Sequence, residues 1–249
     1  MRRVLIYSCL FIALFFFSTT ERPRAVAAPA AAPVPQPLSV FKFNLFEKAE
    51  LIGTGTGWVG LSTSGQLRMV TNSHICVDNG VQTSTKFKSV IDVKLDDGTK
   101  LIKLLFDPFN DLCLLQFPDS YNVKNTRALL LSKEPPTINQ PIIVKGHPNG
   151  GPLSLTLGSY IDETYVPIGF FNAELVMSYG EQMDCVGIPS TPECLYMRRA
   201  DTINVLSYPG NSGSPVLASD GSVLSMIWGA FTLNAKSLAV PHRVLKRYL

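Results

Sequence analysis

The chain has 249 residues, with 22 Lys or Arg, 19 Asp or Glu and 3 His, and a formal charge of +3. Its length suits one large domain or two small ones, and a hydrophobic share of 46% excludes general disorder. Four basic residues (Arg2, Arg3, Arg22, Arg24) and one acid (Glu21) fall in the first 27 positions, leaving 18 of each sign; nothing in that balance points to a nucleic-acid or anionic-membrane partner.

Arg2 and Arg3 precede an apolar stretch from Val4 to Phe17, the length of a signal-peptide core and short of the roughly 20 residues of a spanning helix. Ala25-Val26-Ala27 offers a cleavage pattern. Residues 1–27 therefore read as an export signal, or as a membrane anchor if uncleaved, and the chain is expected to be periplasmic or secreted. Residues 28–38, rich in Ala and Pro, read as an extended tether. In an exported chain Cys185 and Cys194 flank a short Gly/Pro-containing loop and are the expected disulfide pair. Cys76 and Cys113 sit among apolar neighbours and read as plain buried thiols. No C-x-x-C occurs and the three histidines are far apart, so no metal site is expected, and no cofactor.

From residue 39 the pattern is short β-like runs: Val40–Phe46, Gly57–Leu61, Leu67–Thr71, Val90–Leu95, Cys113–Phe117, Ile142–Lys145, Leu153–Tyr160, Glu174–Tyr179, Pro215–Ala218 and Val223–Phe231. Turn residues such as Asp97-Gly98, Asn149-Gly150-Gly151 and Asp220-Gly221 separate them. Only Pro241–Leu249 has a helical pattern, with His242 expected to be exposed at its start. Many short strands without interleaved helices indicate an all-β sandwich or barrels. Residues 129–141 read as a linker between halves 39–128 and 142–249. Gly55-Thr56-Gly57-Trp58-Val59-Gly60 matches a dinucleotide-binding pattern, but strand signals follow it where a helix should open, so barrel-forming glycines explain it. His147, in Gly-His-Pro, reads as a turn residue.

Three separated motifs carry chemistry. Thr71-Asn72-Ser73-His74-Ile75-Cys76 ends an apolar strand, and Asn110-Asp111-Leu112-Cys113-Leu114-Leu115 brings an acid into another. Pro209-Gly210-Asn211-Ser212-Gly213-Ser214-Pro215-Val216 places a serine in a tight turn before a buried strand, where neighbouring N–H groups can converge on one oxygen. A serine hydroxyl needs an imidazole base, and that base needs a carboxylate to fix its tautomer. His74, Asp111 and Ser212 supply these groups in that chain order.

Over roughly residues 50–245 these motifs resemble the trypsin/chymotrypsin-like serine proteases, closest in pattern to bacterial high-temperature-requirement-type and viral members. "TNSHIC" resembles the family's T-A-x-H, "NDLCLLQF" its D-[IL]-x-L-L strand and "GNSGSPV" its G-[DN]-S-G-[GS]-P. The stretch from Gly221 to Trp228-Gly229 resembles its substrate-binding strand, and Leu238-Ala239-Val240-Pro241 the closing strand of bacterial and viral members. The resemblance implies two six-stranded antiparallel β-barrels with a short C-terminal helix. It implies that Ser212 attacks the scissile carbonyl and forms an acyl-enzyme, that His74 moves the proton, and that Asp111 orients His74. Gly210 and Ser212 N–H groups would form the oxyanion hole, with Leu206, Trp228 and Gly229 contacting substrate. Asp111 is preferred to Asp107 because it directly enters the strand, while Asp92, Asp96 and Asp97 fall in another hairpin.

Departures from the family pattern carry information too. Asn211 replaces the acid that pairs with a newly cut N-terminus in animal digestive members, so no such zymogen switch is expected. Leu206, six residues before Ser212, argues against an Arg/Lys preference and for a small or apolar P1 residue. Residues 180–200, with Arg198-Arg199, read as a rim of the substrate cleft or as a solvated loop. The expected partner is a protein or peptide substrate, with a membrane only if the N-terminal segment is retained. A catalytically inactive binding module and a membrane-tethered viral polyprotein-processing protease stand as the alternative functions.

Overall fold

The computed structural model describes residues 38–77, 91–172, 184–187, 193–231 and 236–249. The expected leader, most of the tether and the run Glu174–Tyr179 lie outside the described residues. So do the side chains on which a Cys185–Cys194 bridge would rest.

Six strands build the first sheet: β1 (Val40–Glu47), β2 (Glu50–Leu61), β3 (Leu67–Thr71), β4 (Asp92–Leu95), β5 (Ile102–Asp107) and β6 (Leu112–Gln116). Their order is β4-β1-β2-β3-β6-β5, and an isolated bridge from Lys94 of β4 to Lys100, two residues ahead of β5, leaves the sheet an incomplete ring, a half-barrel. β1 alternates as a strand with one buried face must: Phe41, Phe43 and Leu45 point inward. Opposite them, the glycines of β2 are required by close packing. A Cβ on Gly57 would lie 2.1 Å from the Phe43 ring, so the G-x-G-x-x-G run is barrel geometry.

The second sheet has seven strands: β7 (Pro141–Gly146), β8 (Ser154–Asn172), β9 (Asp184–Gly187), β10 (Glu193–Ile203), β11 (Pro215–Leu217), β12 (Val223–Phe231) and β13 (Lys236–Val240). Their order is β13-β12-β11-β7-β8-β10-β9, and β10 also pairs with β13, opposing Asp201 to Ala239 and Ile203 to Ser237. Six strands thus close a ring, and β9 is an added edge strand beyond the expected six. Arg198 lies within β10 with 8% exposure, not in a solvated loop as one reading of residues 180–200 had it.

Each ring has its own apolar core, the first around Val59, Met69 and Leu115, the second around Ile142, Ile203, Leu224 and Ile227. A third cluster joins the rings: Trp58, Val70, Leu112 and Leu114 from the first, Val223, Met226 and Val240 from the second, with Val244 and Leu245 from helix α2 (His242–Tyr248). Fully burying one such Val or Leu stabilises the fold by about 1.5–3 kcal/mol, so the cluster is a strong seal. Two expectations fail. His242 is buried, its Nε2 lying 2.7 Å from the Ser132 carbonyl of the inter-ring segment. Cys76 and Cys113 are joined in a disulfide rather than being separate thiols, because the rings bring their elements side by side.

Candidate active site

β3 ends at Thr71, and the chain turns at Asn72 into the one-turn helix α1 (Ser73–Cys76) that carries His74. Asp111 enters β6 from a turn organised by Asp107, whose carboxylate accepts from the N–H groups of Phe109 and Asn110, from the Asn110 amide and from the Tyr248 hydroxyl. Asp107 therefore shapes the turn, and Asp111 meets the histidine. Asp92 pairs with Lys100, Asp96 with Lys42, and Asp97 caps Thr99, all away from this point.

The Asp111 backbone has φ of +54°, an uncommon conformation for a non-glycine residue, and the Asn72 side-chain amide donates to its carbonyl. One carboxylate oxygen accepts from Ser73 Oγ at 2.9 Å and from the His74 N–H at 3.0 Å. The other lies 2.8 Å from His74 Nδ1. A carboxylate can only accept, so Nδ1 carries the proton and Nε2 presents a lone pair. Burial by itself would raise the Asp111 carboxyl, but the charge and hydrogen bonds of His74 and the Arg198 guanidinium outweigh it and hold the group well below the usual carboxylate range.

Ser212 sits in the turn from Pro209 to Ser214, packed against Thr56 in the middle of β2 and Thr71 at the end of β3. Four successive peptide units of this turn are fixed by named partners. The Gly210 carbonyl accepts from Thr56 Oγ1 at 2.7 Å, while the Asn211 N–H donates to the Tyr208 carbonyl. The Ser212 carbonyl accepts from the Thr56 N–H, while the Gly213 N–H donates to Ile227. The remaining two units are held by their carbonyls alone: Pro209 accepts from the Asn149 N–H, and Asn211 from the Ser214 N–H. Among the described residues the N–H groups of Gly210 and Ser212 have no acceptor. Because a trans peptide points N–H opposite to C=O, these two donors face away from Asn149 and Ser214. Such a free pair can hold a developing negative oxygen. Gly210 needs its φ of +89°, and a Cβ there would meet the His147 carbonyl at 2.4 Å.

Thr56 is fully buried and ties the parts together. Its Oγ1 also accepts from the His147 N–H, and its carbonyl accepts from Thr71 Oγ1, three residues before His74. The Ser212 turn is thereby joined to the strand that leads into α1. No hydrogen bond of the described residues links the Ser212 hydroxyl to the His74 ring. Leu206 lies partly exposed between β10 and this turn, and Trp228 sits where the register between β12 and β13 shifts, followed by Gly229 opposite Leu238. Asn211 is buried and packs against Gly146 of β7. His147 precedes the short 3-10 turn Pro148–Gly150, and burial holds its imidazole below the usual histidine range. No three His, Cys, Asp or Glu side chains among the described residues gather as a metal site would require.

The sequence matches the family model for the trypsin-like peptidase domain over residues 55–226. The chain belongs to the trypsin-like peptidase family. It is a serine endopeptidase, acting on protein or peptide substrates. No curated protein sequence matches the chain. Among solved structures, this trypsin-like peptidase is similar to the Rv3671c protease of M. tuberculosis in its active form, at 20% identity and a TM-score of 0.59, covering 86% of this chain and 80% of that one. The inactive form of the same protease aligns at 21% identity and a TM-score of 0.56, covering 86% and 88%. The serine endoprotease from Yersinia pestis aligns at 14% identity and a TM-score of 0.53, covering 86% of this chain and 62% of that one. At these identities the likeness is one of fold, and the fold is chymotrypsin-like.

Of the residues singled out by the motifs, the structure brings His74 and Asp111 into contact and places Ser212 in the turn held by Thr56. The motifs gave no sign of Thr56, whose hydroxyl was hidden inside a glycine pattern, and Arg198 was placed on a cleft rim or loop without its contacts to the Asp111 turn, whose residues lie about ninety positions away.

Proposed function

We propose that this peptidase cuts peptide bonds with a His74–Asp111–Ser212 triad through an acyl-enzyme. Ser212 Oγ attacks the scissile carbonyl carbon while His74 Nε2 takes its proton; the oxygen that becomes negative is received by the Gly210 and Ser212 N–H groups. His74 then protonates the leaving amine, and water repeats the sequence on the ester. Asp111 keeps the imidazole in the productive tautomer and balances its cation. The observation that carries this reading is the Ser212 turn, whose Pro209, Gly210, Asn211 and Ser212 carbonyls are engaged while the Gly210 and Ser212 N–H groups have no acceptor among the described residues, together with a histidine held by a carboxylate. The Ser212–His74 hydrogen bond closes on substrate binding, as such contacts commonly do. Leu206, partly exposed ahead of the turn, supports a small or apolar P1 residue.

The engaged geometry favours the peptidase over an inactive binding module. Export is part of the same proposal: the leader supports it, and so does the Cys76–Cys113 disulfide, since such bonds persist in oxidising compartments. The test is labelling of the purified chain by a fluorophosphonate probe, with Ser212→Ala as control. Labelling of the wild type alone is expected; an unlabelled, folded wild type would overturn the triad.

A further inference from the structure

Arg198 is the least expected residue near the triad. It stands on β10 of the second ring, where strand alternation turns Arg199 outward to Glu163 and Arg198 inward. Its Nε donates to the Phe109 carbonyl at 2.6 Å and its Nη2 to the Pro108 carbonyl at 2.8 Å, both just ahead of Asp111. The guanidinium carbon lies 4.9 Å from the Trp228 ring centroid, and Nη1 lies 3.9 Å from Asp111 Oδ2. Asp111 is the only carboxylate within 4 Å of it among the described residues. A buried guanidinium retains its charge and needs a counter-charge. The carboxylate that serves it is the one that holds His74.

We propose that Arg198 is a positioning residue of the catalytic pair: anchored on the Pro108 and Phe109 carbonyls and stacked on Trp228, its guanidinium shares with His74 Nδ1 the Oδ2 oxygen of Asp111 and sets how strongly Asp111 acts on His74. This deepens the triad reading and rests on it. Without Arg198 the turn that presents Asp111 loses two of its ties to the second ring, and the carboxylate loses the cation that shares its charge. The bare carboxylate then holds the imidazolium more tightly, so the base is freed only at higher pH. The other groups facing the pair do not duplicate this charge. Asp107 is engaged by its own turn and Tyr248, and Tyr196 donates to the Phe109 carbonyl. Lys103 bonds the Cys76 carbonyl at the end of α1, and Arg243 pairs with Glu163.

The test compares the wild type, Arg198→Met and Arg198→Lys in the pH dependence of fluorophosphonate labelling. A second readout is the titration midpoint of the His74 ring protons by NMR in the Ser212→Ala background, which needs no turnover. The acid limb and the NMR midpoint are expected to rise together by about 0.5–1 pH unit in Arg198→Met, as loss of a nearby charge dictates, and to stay at the wild-type value in Arg198→Lys. If Met slows labelling equally at every pH and leaves the midpoint unmoved, Arg198 is only a structural strut and the proposal falls. Equal shifts in Met and Lys would also overturn it. Arg198→Gln, which retains a donor for the Phe109 carbonyl, replaces Met if Met does not fold. Failure of the wild type to label would sink the triad instead, and the NMR comparison would still decide Arg198.

Discussion

The disulfide joins Cys76, two residues past His74, to Cys113, two residues past Asp111, so the same separation of 37 residues spans both pairs. The covalent bond therefore pins the short helix of the base to the strand of the acid. α1 is a single turn and has little stability of its own. Replacing both cysteines by Ala is expected to lower stability by about 2–4 kcal/mol, from the loop it releases. Fluorophosphonate labelling should fall further than the loss of folded protein accounts for. Urea unfolding and labelling of the same samples check this; labelling that tracks the folded fraction would refute the pinning.

Thr56 directs the Gly210 and Ser212 carbonyls away from the free N–H pair, one through its hydroxyl and one through its backbone. Thr56→Val removes only the hydroxyl bonds and leaves the Gly210 carbonyl and the His147 N–H without that partner. Loss of a direct oxyanion donor slows turnover by about 10²–10³-fold, so an indirect loss is expected to cost about tenfold in kcat with little change in KM. Thr56→Ser should retain most activity. Steady-state kinetics on any peptide the enzyme cleaves give the answer.

Asn211 stands buried against Gly146, and its Oδ1 has no hydrogen-bond partner among the described residues. Asn211→Asp puts an unpaired carboxylate there and is expected to cost about 2–4 kcal/mol at neutral pH. Calorimetric melting would show it. An unchanged Tm would mean that a cation reaches this site, reviving the idea of a terminal amine partner.

Asp201 is buried on β10, with one oxygen 3.4 Å from the Tyr160 hydroxyl. Burial, reinforced by the negative charge of Glu163, pushes its carboxyl up to about 7. The folded value lies above the unfolded one of about 3.9, so this group's contribution to stability is full below about pH 4 and is lost as pH rises toward 7. Asp201→Asn is expected to remove that decline, so that its Tm changes less between pH 5 and pH 8 than the wild type's. Parallel Tm profiles for the two proteins would contradict it.

The legibility of the chain followed the range of the interactions. His74, Asp111 and Ser212 were readable because each sits in a local motif at a strand end, where side chain and neighbours travel together. The strands were readable because their periodicity is local as well, whereas their closure into two rings came only from the family resemblance. Cys76 and Cys113 were misjudged from their apolar neighbours, although their spacing repeats that of the acid and the base: if those two meet, the thiols meet. His242 was misplaced for a different reason. Its helix was recognised, but its burial comes from the Ser132 carbonyl on a segment without periodicity. Arg198 and Thr56 act across strands whose register no local pattern reveals.

The apolar cluster shared by Trp58, Val70, Met226, Val240 and Leu245 bears on control of the enzyme. In the proposed triad His74 and Asp111 come from one ring and Ser212 from the other, so rocking of one ring on the other would be an effective off switch. The sealed interface denies the molecule that hinge. Its two halves should melt in a single transition, and any modulation of cutting must come from the surface loops around the cleft.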